Sequence, residues 1–147
     1  MDDQKIEAGS CVVYIDGASR GNPGPSAYAY VLITCSGEKY VESSRIGTST
    51  NNKAEYTALI RALSRAKSVG CRRLTVYSDS QLLTRQLNGE YRVRDPGLRA
   101  LYQEATSLMA SFEAVRIIHI PRERNLEADA LANAELKKTV KDGPSER

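Results

Sequence analysis

Tyr14-Ile15-Asp16-Gly17-Ala18-Ser19-Arg20-Gly21-Asn22-Pro23-Gly24-Pro25 decides how this chain is read. It starts as a β-strand, sets a carboxylate at the strand's end, and turns through glycine, asparagine and proline before apolar residues resume at Ala27-Tyr28-Ala29-Tyr30-Val31-Leu32-Ile33. The pattern predicts a hairpin. Two residues suffice to reverse a strand, so the longer turn has another use: it lets a polymer backbone approach while Asp16 holds a metal ion.

Upstream of the stretch, residues 1–9 read as a flexible polar tail, and Val12, Val13 and Ile15 begin the first strand over residues 10–16. Downstream, the second strand covers about 27–34, Ser36-Gly37-Glu38 turns the chain, and residues 39–48 form a third strand, giving an antiparallel meander. Ser49-Thr50-Asn51-Asn52 is a helix-start signal for a helix to about Val69, stopped by Gly70. Ala54, Ala58, Leu59, Ala62 and Ala66 form its apolar face.

Leu74–Ser78 is a fourth strand, and Asp79-Ser80 caps a short helix over Gln81–Leu87. Pro96 opens a helix whose stripe of Leu98, Leu101, Tyr102, Ala105, Leu108 and Met109 belongs to the core. Val115–Ile120 is the fifth strand, ended by Pro121. Asn125 caps a last helix over 126–139, and residues 140–147 read as a second flexible tail. The whole is one α/β domain over 10–139, with a mixed five-stranded sheet, three antiparallel strands then two parallel, flanked by helices.

Composition agrees: 147 residues, 41% hydrophobic and 27% charged, describe one globular domain with a real core. No apolar run nears the ~20 residues of a membrane span, and no signal peptide is visible in the sequence. A cytoplasmic monomer without an obligate protein partner is expected. Cys11, Cys35 and Cys71 lack metal-ligand spacing, and in a reducing compartment they are expected as small, reduced, half-buried side chains. The net charge of +3 decides no partner alone, although without the acids assigned below the remainder suits an anionic polymer.

The connectivity brings four acids to one place. Strand 3 runs parallel to strand 1 and ends where Asp16 ends strand 1, so the first helix starts there with Glu55 in its first two turns. A right-handed crossover makes strand 4 parallel as well, which delivers Asp79. Strand 5 follows in the same sense and delivers Asp129. Each acid has an ordinary reading taken singly: cap, helix-start charge or surface acid. Together, at the carboxyl edge of a sheet, four carboxylates repel one another and call for hard divalent cations, Mg²⁺ or Mn²⁺. Two such ions about 4 Å apart suit in-line phosphoryl displacement.

The matching motifs are Asp16-Gly17 with Gly21–Pro25, then Thr50-Asn51-Asn52-Lys53-Ala54-Glu55, Tyr77-Ser78-Asp79-Ser80-Gln81 and Asn125-Leu126-Glu127-Ala128-Asp129. On these, the chain resembles the type 1 ribonuclease H family, in its handle-less bacterial or archaeal-like branch without a separate hybrid-binding domain. The resemblance implies an endoribonuclease that hydrolyses the RNA strand of RNA–DNA hybrids with two metal ions, leaving 5′-phosphate and 3′-hydroxyl ends. Asp16, Glu55, Asp79 and Asp129 would be the catalytic, metal-binding acids. Gly17, Asn22, Thr50, Asn51, Asn52 and Gln81 would contact the hybrid, and Asn125, Arg122 and Arg124 would assist. Two other readings are a related domain of a reverse transcriptase or resolvase, and a non-catalytic hybrid-binding module.

The chain departs from the family twice. The basic helix that many members insert after the third acidic motif is missing, and the sequence has no tryptophan. The single histidine, His119, falls inside the last strand rather than on a mobile loop, and is expected as a packed structural residue.

Overall fold

The computed structural model describes residues 8–145, with side chains through Lys138. The tail expected over 1–9 lies outside the described residues up to Glu7, as do residues 146–147 of the second. The elements are β1 (Ser10–Ser19), β2 (Gly24–Thr34), β3 (Lys39–Ser49), α1 (Asn51–Ser68), β4 (Arg73–Ser78), α2 (Gln81–Leu87), α3 (Pro96–Met109), β5 (Ala114–His119), a 3-10 turn (Arg122–Arg124) and α4 (Leu126–Ser145). The last helix thus runs past its expected end near Thr139. Thr139, Val140, Lys141 and Asp142 contain no helix breaker, and Gly143-Pro144 fall in its final turn.

The five strands form one sheet in the order β3-β2-β1-β4-β5. β1 pairs antiparallel with β2, β2 antiparallel with β3, and the β1–β4 and β4–β5 pairs are parallel. The expected mixed sheet is therefore present. β2 is buried on both faces, which explains its near-continuous apolar sequence. On one face Val13, Ile15, Tyr28, Tyr30 and Leu32 pack with Tyr56, Leu59 and Leu63 of α1, and α3 lies against α1. Ala27, Ala29 and Val31 belong to a second layer, where α4 brings the buried Ala128, Ala132 and Leu136 over β1–β3.

The stripe predicted on α3 is core, with Leu98 and Ala105 buried and Leu101, Tyr102, Leu108 and Met109 packed against the cluster. No helix among the described residues is long and apolar enough to cross a membrane.

β1 does not end at Asp16 as expected but runs to Ser19, and β2 begins at Gly24, because residues 16–19 continue the antiparallel pairing with β2; only residues 20–23 separate the two strands, and this turn is fixed by backbone closeness. The Arg20 amide donates to the Pro25 carbonyl at 2.8 Å. A Cβ at Gly24 would lie 1.9 Å from the Arg20 carbonyl oxygen, so only glycine fits there. The Asn22–Pro23 peptide is cis.

The cysteines and His119 also differ from expectation. Cys11 and Cys71 are not free thiols: parallel pairing of β1 with β4 brings the segment after α1 beside the start of β1, and the two cysteines, 5.9 Å apart at Cα, form a disulfide. Cys35 is free and exposed. His119 is exposed rather than packed, because it is the last residue of the edge strand β5, opposite Ser78.

Candidate active site

Strand register sets the level of the first acids. Ile15 of β1 pairs with Ser78, the last residue of β4, so the next residue of each chain segment, Asp16 and Asp79, stands at the same height; β4 ends there, while β1 continues to Ser19 with Asp16 paired to Ala29 of β2. Ser80, not Asp79, caps α2: its hydroxyl accepts from the Leu83 amide at 3.1 Å, which leaves the Asp79 carboxylate available. Likewise Thr50 caps α1 by accepting from the Lys53 amide at 3.2 Å, and the helix then carries Glu55 inward.

β1 and α1 meet without a gap. A Cβ on Gly17 would lie 2.4 Å from the Ala54 carbonyl carbon and from the Glu55 amide nitrogen. That close approach, which only glycine allows, sets Glu55 against Asp16.

Carboxylate oxygens of Asp16, Glu55 and Asp79 all lie within 4.8 Å of one another. Asp16 and Glu55 are 4% and 3% exposed. Asp129, in the first turn of α4, faces Asp16 across a polar cleft of about 330 Å³ that all four acids line. Burial is the first reason that Asp16 holds its proton up to about 8; the neighbouring Asp79 and Asp129 add to it, and Arg122 opposes it. Glu55 is raised well above the usual range by burial, then by Asp16 and Asp79, with the Gly17 amide and Arg122 acting the other way. Asp16 Oδ2 and Glu55 Oε1 are buried without a hydrogen-bond partner among the described residues. Unpartnered buried carboxylate oxygens, converging with like charges, are the donor set that a hard divalent cation fits.

The remaining predicted residues divide into four groups. Gly17, Asn51 and Arg122 line the cleft with the acids. Asn22, Thr50, Asn52 and Gln81 do not line it. Asn22 instead ties the β1–β2 turn to α1, its Oδ1 accepting from the Asn51 amide at 2.9 Å, while Gln81 is exposed at the first position of α2. Arg124, at the end of the 3-10 turn, lies on a different depression with Tyr14 and Leu126. Asn125 is buried beneath the cleft.

The sequence reading missed Asn133, which lines the cleft and donates to the Asp129 carbonyl at 2.9 Å and to Asp129 Oδ1 at 3.2 Å. Its spacing of four from Asp129 on a helix was the available signal.

A family model described as reverse transcriptase-like matches residues 14–135. A ribonuclease HI of Halobacterium salinarum is 44% identical over 134 residues, which span 90% of this chain and 67% of that protein. The crystal structure of RNase H1 from this halophilic archaeon superimposes with a TM-score of 0.84, covering 88% of this chain and 99% of the other. LC11-RNase H1, solved in complex with an RNA/DNA hybrid, is 36% identical with a TM-score of 0.82, covering 88% and 99%. The bifunctional protein Rv2228c of Mycobacterium tuberculosis is 40% identical over 83% of this chain, which spans only 34% of that longer protein.

Proposed function

The chain belongs to the ribonuclease H family, and from that membership we propose that it cleaves the RNA strand of RNA–DNA hybrids with Mg²⁺ or Mn²⁺, leaving 5′-phosphate and 3′-hydroxyl ends. It is a hydrolase, a nuclease of that family. The observation that carries the reading is the convergence of Asp16, Glu55 and Asp79 within 4.8 Å, with Asp16 Oδ2 and Glu55 Oε1 buried and without a hydrogen-bond partner among the described residues.

Asp16, Glu55, Asp79 and Asp129 would hold two divalent cations, which when bound supply a nucleophilic water at neutral pH and offset charge on the leaving oxygen. Both buried acids must give up their protons to serve as ligands, so metal loading and deprotonation are linked. Arg122, exposed at the cleft's edge, brings a positive charge to the acids and to an incoming phosphate.

Around the cleft, Gly17, Asn22, Thr50, Asn51, Asn52 and Gln81 would meet the hybrid. Amide side chains both donate and accept, which matches the 2′-hydroxyls lining the wide minor groove of an A-like duplex and demands no base sequence. The Asn22–Asn51 bond makes the turn and the start of α1 one continuous surface for this purpose. We take the working unit to be a cytoplasmic monomer.

The test is cleavage of end-labelled RNA–DNA, RNA–RNA and DNA–DNA duplexes in Mg²⁺, Mn²⁺ and chelator. The RNA of the hybrid should be cut only with metal. Asp79→Asn should lower turnover on the order of a thousandfold, about 4 kcal/mol of barrier. Equal cleavage of double-stranded RNA would refute the assigned specificity.

A further inference from the structure

Asn125 stands at the N-terminal flank of α4, where its carbonyl accepts the helix's first bond from the Asp129 amide at 3.1 Å. A polar side chain at that position ordinarily folds back to accept from the free amides of the first turn, as the sequence predicts for Asn125. The structure shows otherwise. The side chain is 1% exposed and turns inward, its Nδ2 donating to the Ile15 carbonyl at 2.8 Å and to Asp79 Oδ2 at 3.2 Å.

Both partners only accept, so chemistry fixes the amide with its NH₂ toward them. Its Oδ1 is left buried with no partner among the described residues. The residue forgoes a cap and leaves an acceptor unsatisfied, a local inconsistency of the kind that proteins retain at functional sites.

The atoms it joins explain the retention. Ile15 directly precedes Asp16, and Asp79 directly follows the register partner of Ile15. One amide therefore links the backbone beneath one acid to the carboxylate of a second, and does so from the start of the helix that carries a third, Asp129. We infer that Asn125 is a positioning residue that holds one oxygen of Asp79 and aims the other at the cation site. It belongs with the groups that orient metal ligands from behind. The inference rests on the metal-dependent nuclease reading above.

The test pairs calorimetric Mn²⁺ titration of the substrate-free protein with steady-state cleavage of hybrid. Asn125→Ala removes the donor, and Asn125→Asp keeps the volume while replacing the donor by an acceptor. Both should bind Mn²⁺ about tenfold or more weakly, and kcat should fall roughly 10–100-fold with KM little changed. Leu136→Ala, which loosens the buried face of α4 at a residue that does not line the cleft, should keep wild-type Mn²⁺ affinity despite a lower Tm.

In the wild-type protein the Asn125 side-chain NH₂ resonance should move on Mg²⁺ addition, a readout that needs no variant to fold. Unaltered Mn²⁺ affinity in either folded Asn125 variant, equal weakening in Leu136→Ala, or an NH₂ resonance indifferent to Mg²⁺ would overturn the assignment. A wild-type protein that binds Mn²⁺ yet cuts no hybrid would instead remove the nuclease reading and leave the positioning role standing.

Discussion

Asp16 ordinarily would lose its proton near pH 4, yet in the folded chain it keeps it up to about 8. The sign of the consequence follows from linkage. A carboxyl whose folded pKa is raised contributes stability that is full below the unfolded value and disappears as pH rises through the folded one. Thermal stability in chelator should therefore decline between about pH 4 and about pH 8, and saturating Mg²⁺ or Mn²⁺ should restore it most at the alkaline end. Asp16→Asn, which cannot ionise, should flatten that decline. Scanning calorimetry at several pH values checks this, and a chelated wild-type Tm with the same pH profile as Asp16→Asn would contradict it. That the acids converge was legible in the sequence, because strand direction alone sends Asp16 and Asp79 to one edge. Their protonation was not, since it depends on a depth of burial that strand patterns do not reveal.

At the scale of elements, the site depends on how closely β1 meets α1. Gly17→Ala would press a methyl group onto two backbone atoms at 2.4 Å, and neither is a flexible side-chain end that can move aside. Overpacking against backbone should destabilise the fold by about 1–3 kcal/mol and displace Glu55, weakening Mn²⁺ binding as well. Denaturant unfolding and a metal titration measure the two effects separately, and full retention of both would show that the contact relaxes freely. The sequence identified Gly17 only by resemblance, as a neighbour of substrate; its packing against α1 becomes visible once helix and strand are in place. The same holds for Asn125. Its position before an apolar run correctly signalled a helix start, but tertiary partners at Ile15 and Asp79 outcompete the local cap. The α3 stripe, whose periodicity is clear, is core as expected, whereas β1, expected over residues 10–16, runs on to Ser19 because its pairing with β2 continues past Asp16. His119 differs from expectation because exposure at a strand end leaves no periodic trace.

Across the whole molecule, the Cys11–Cys71 disulfide closes a segment of 60 residues containing β1, β2, β3 and α1. A loop of that length restricts the unfolded chain enough to add about 4 kcal/mol of stability. The oxidised protein should unfold at higher denaturant than the Cys11→Ser/Cys71→Ser variant, with equal hybrid cleavage under native conditions, because the bridge lies at the opposite end of β1 from Asp16. Urea titrations with and without reductant test this; coincident midpoints would mean that the bridge does not restrict the unfolded chain. The pairing escaped the sequence reading because an odd number of cysteines without metal spacing favoured free thiols, and only the parallel register of β1 with β4 brings these two together. The placement of Asp129 on α4, the last of the described elements, has a bearing on biosynthesis. A nascent polypeptide emerging from the ribosome displays Asp16, Glu55 and Asp79 before Asn125 and the helix that completes the cluster have been translated. Nuclease competence is thus deferred until α4 has been made, so that a product terminated ahead of it would be inert rather than partly active.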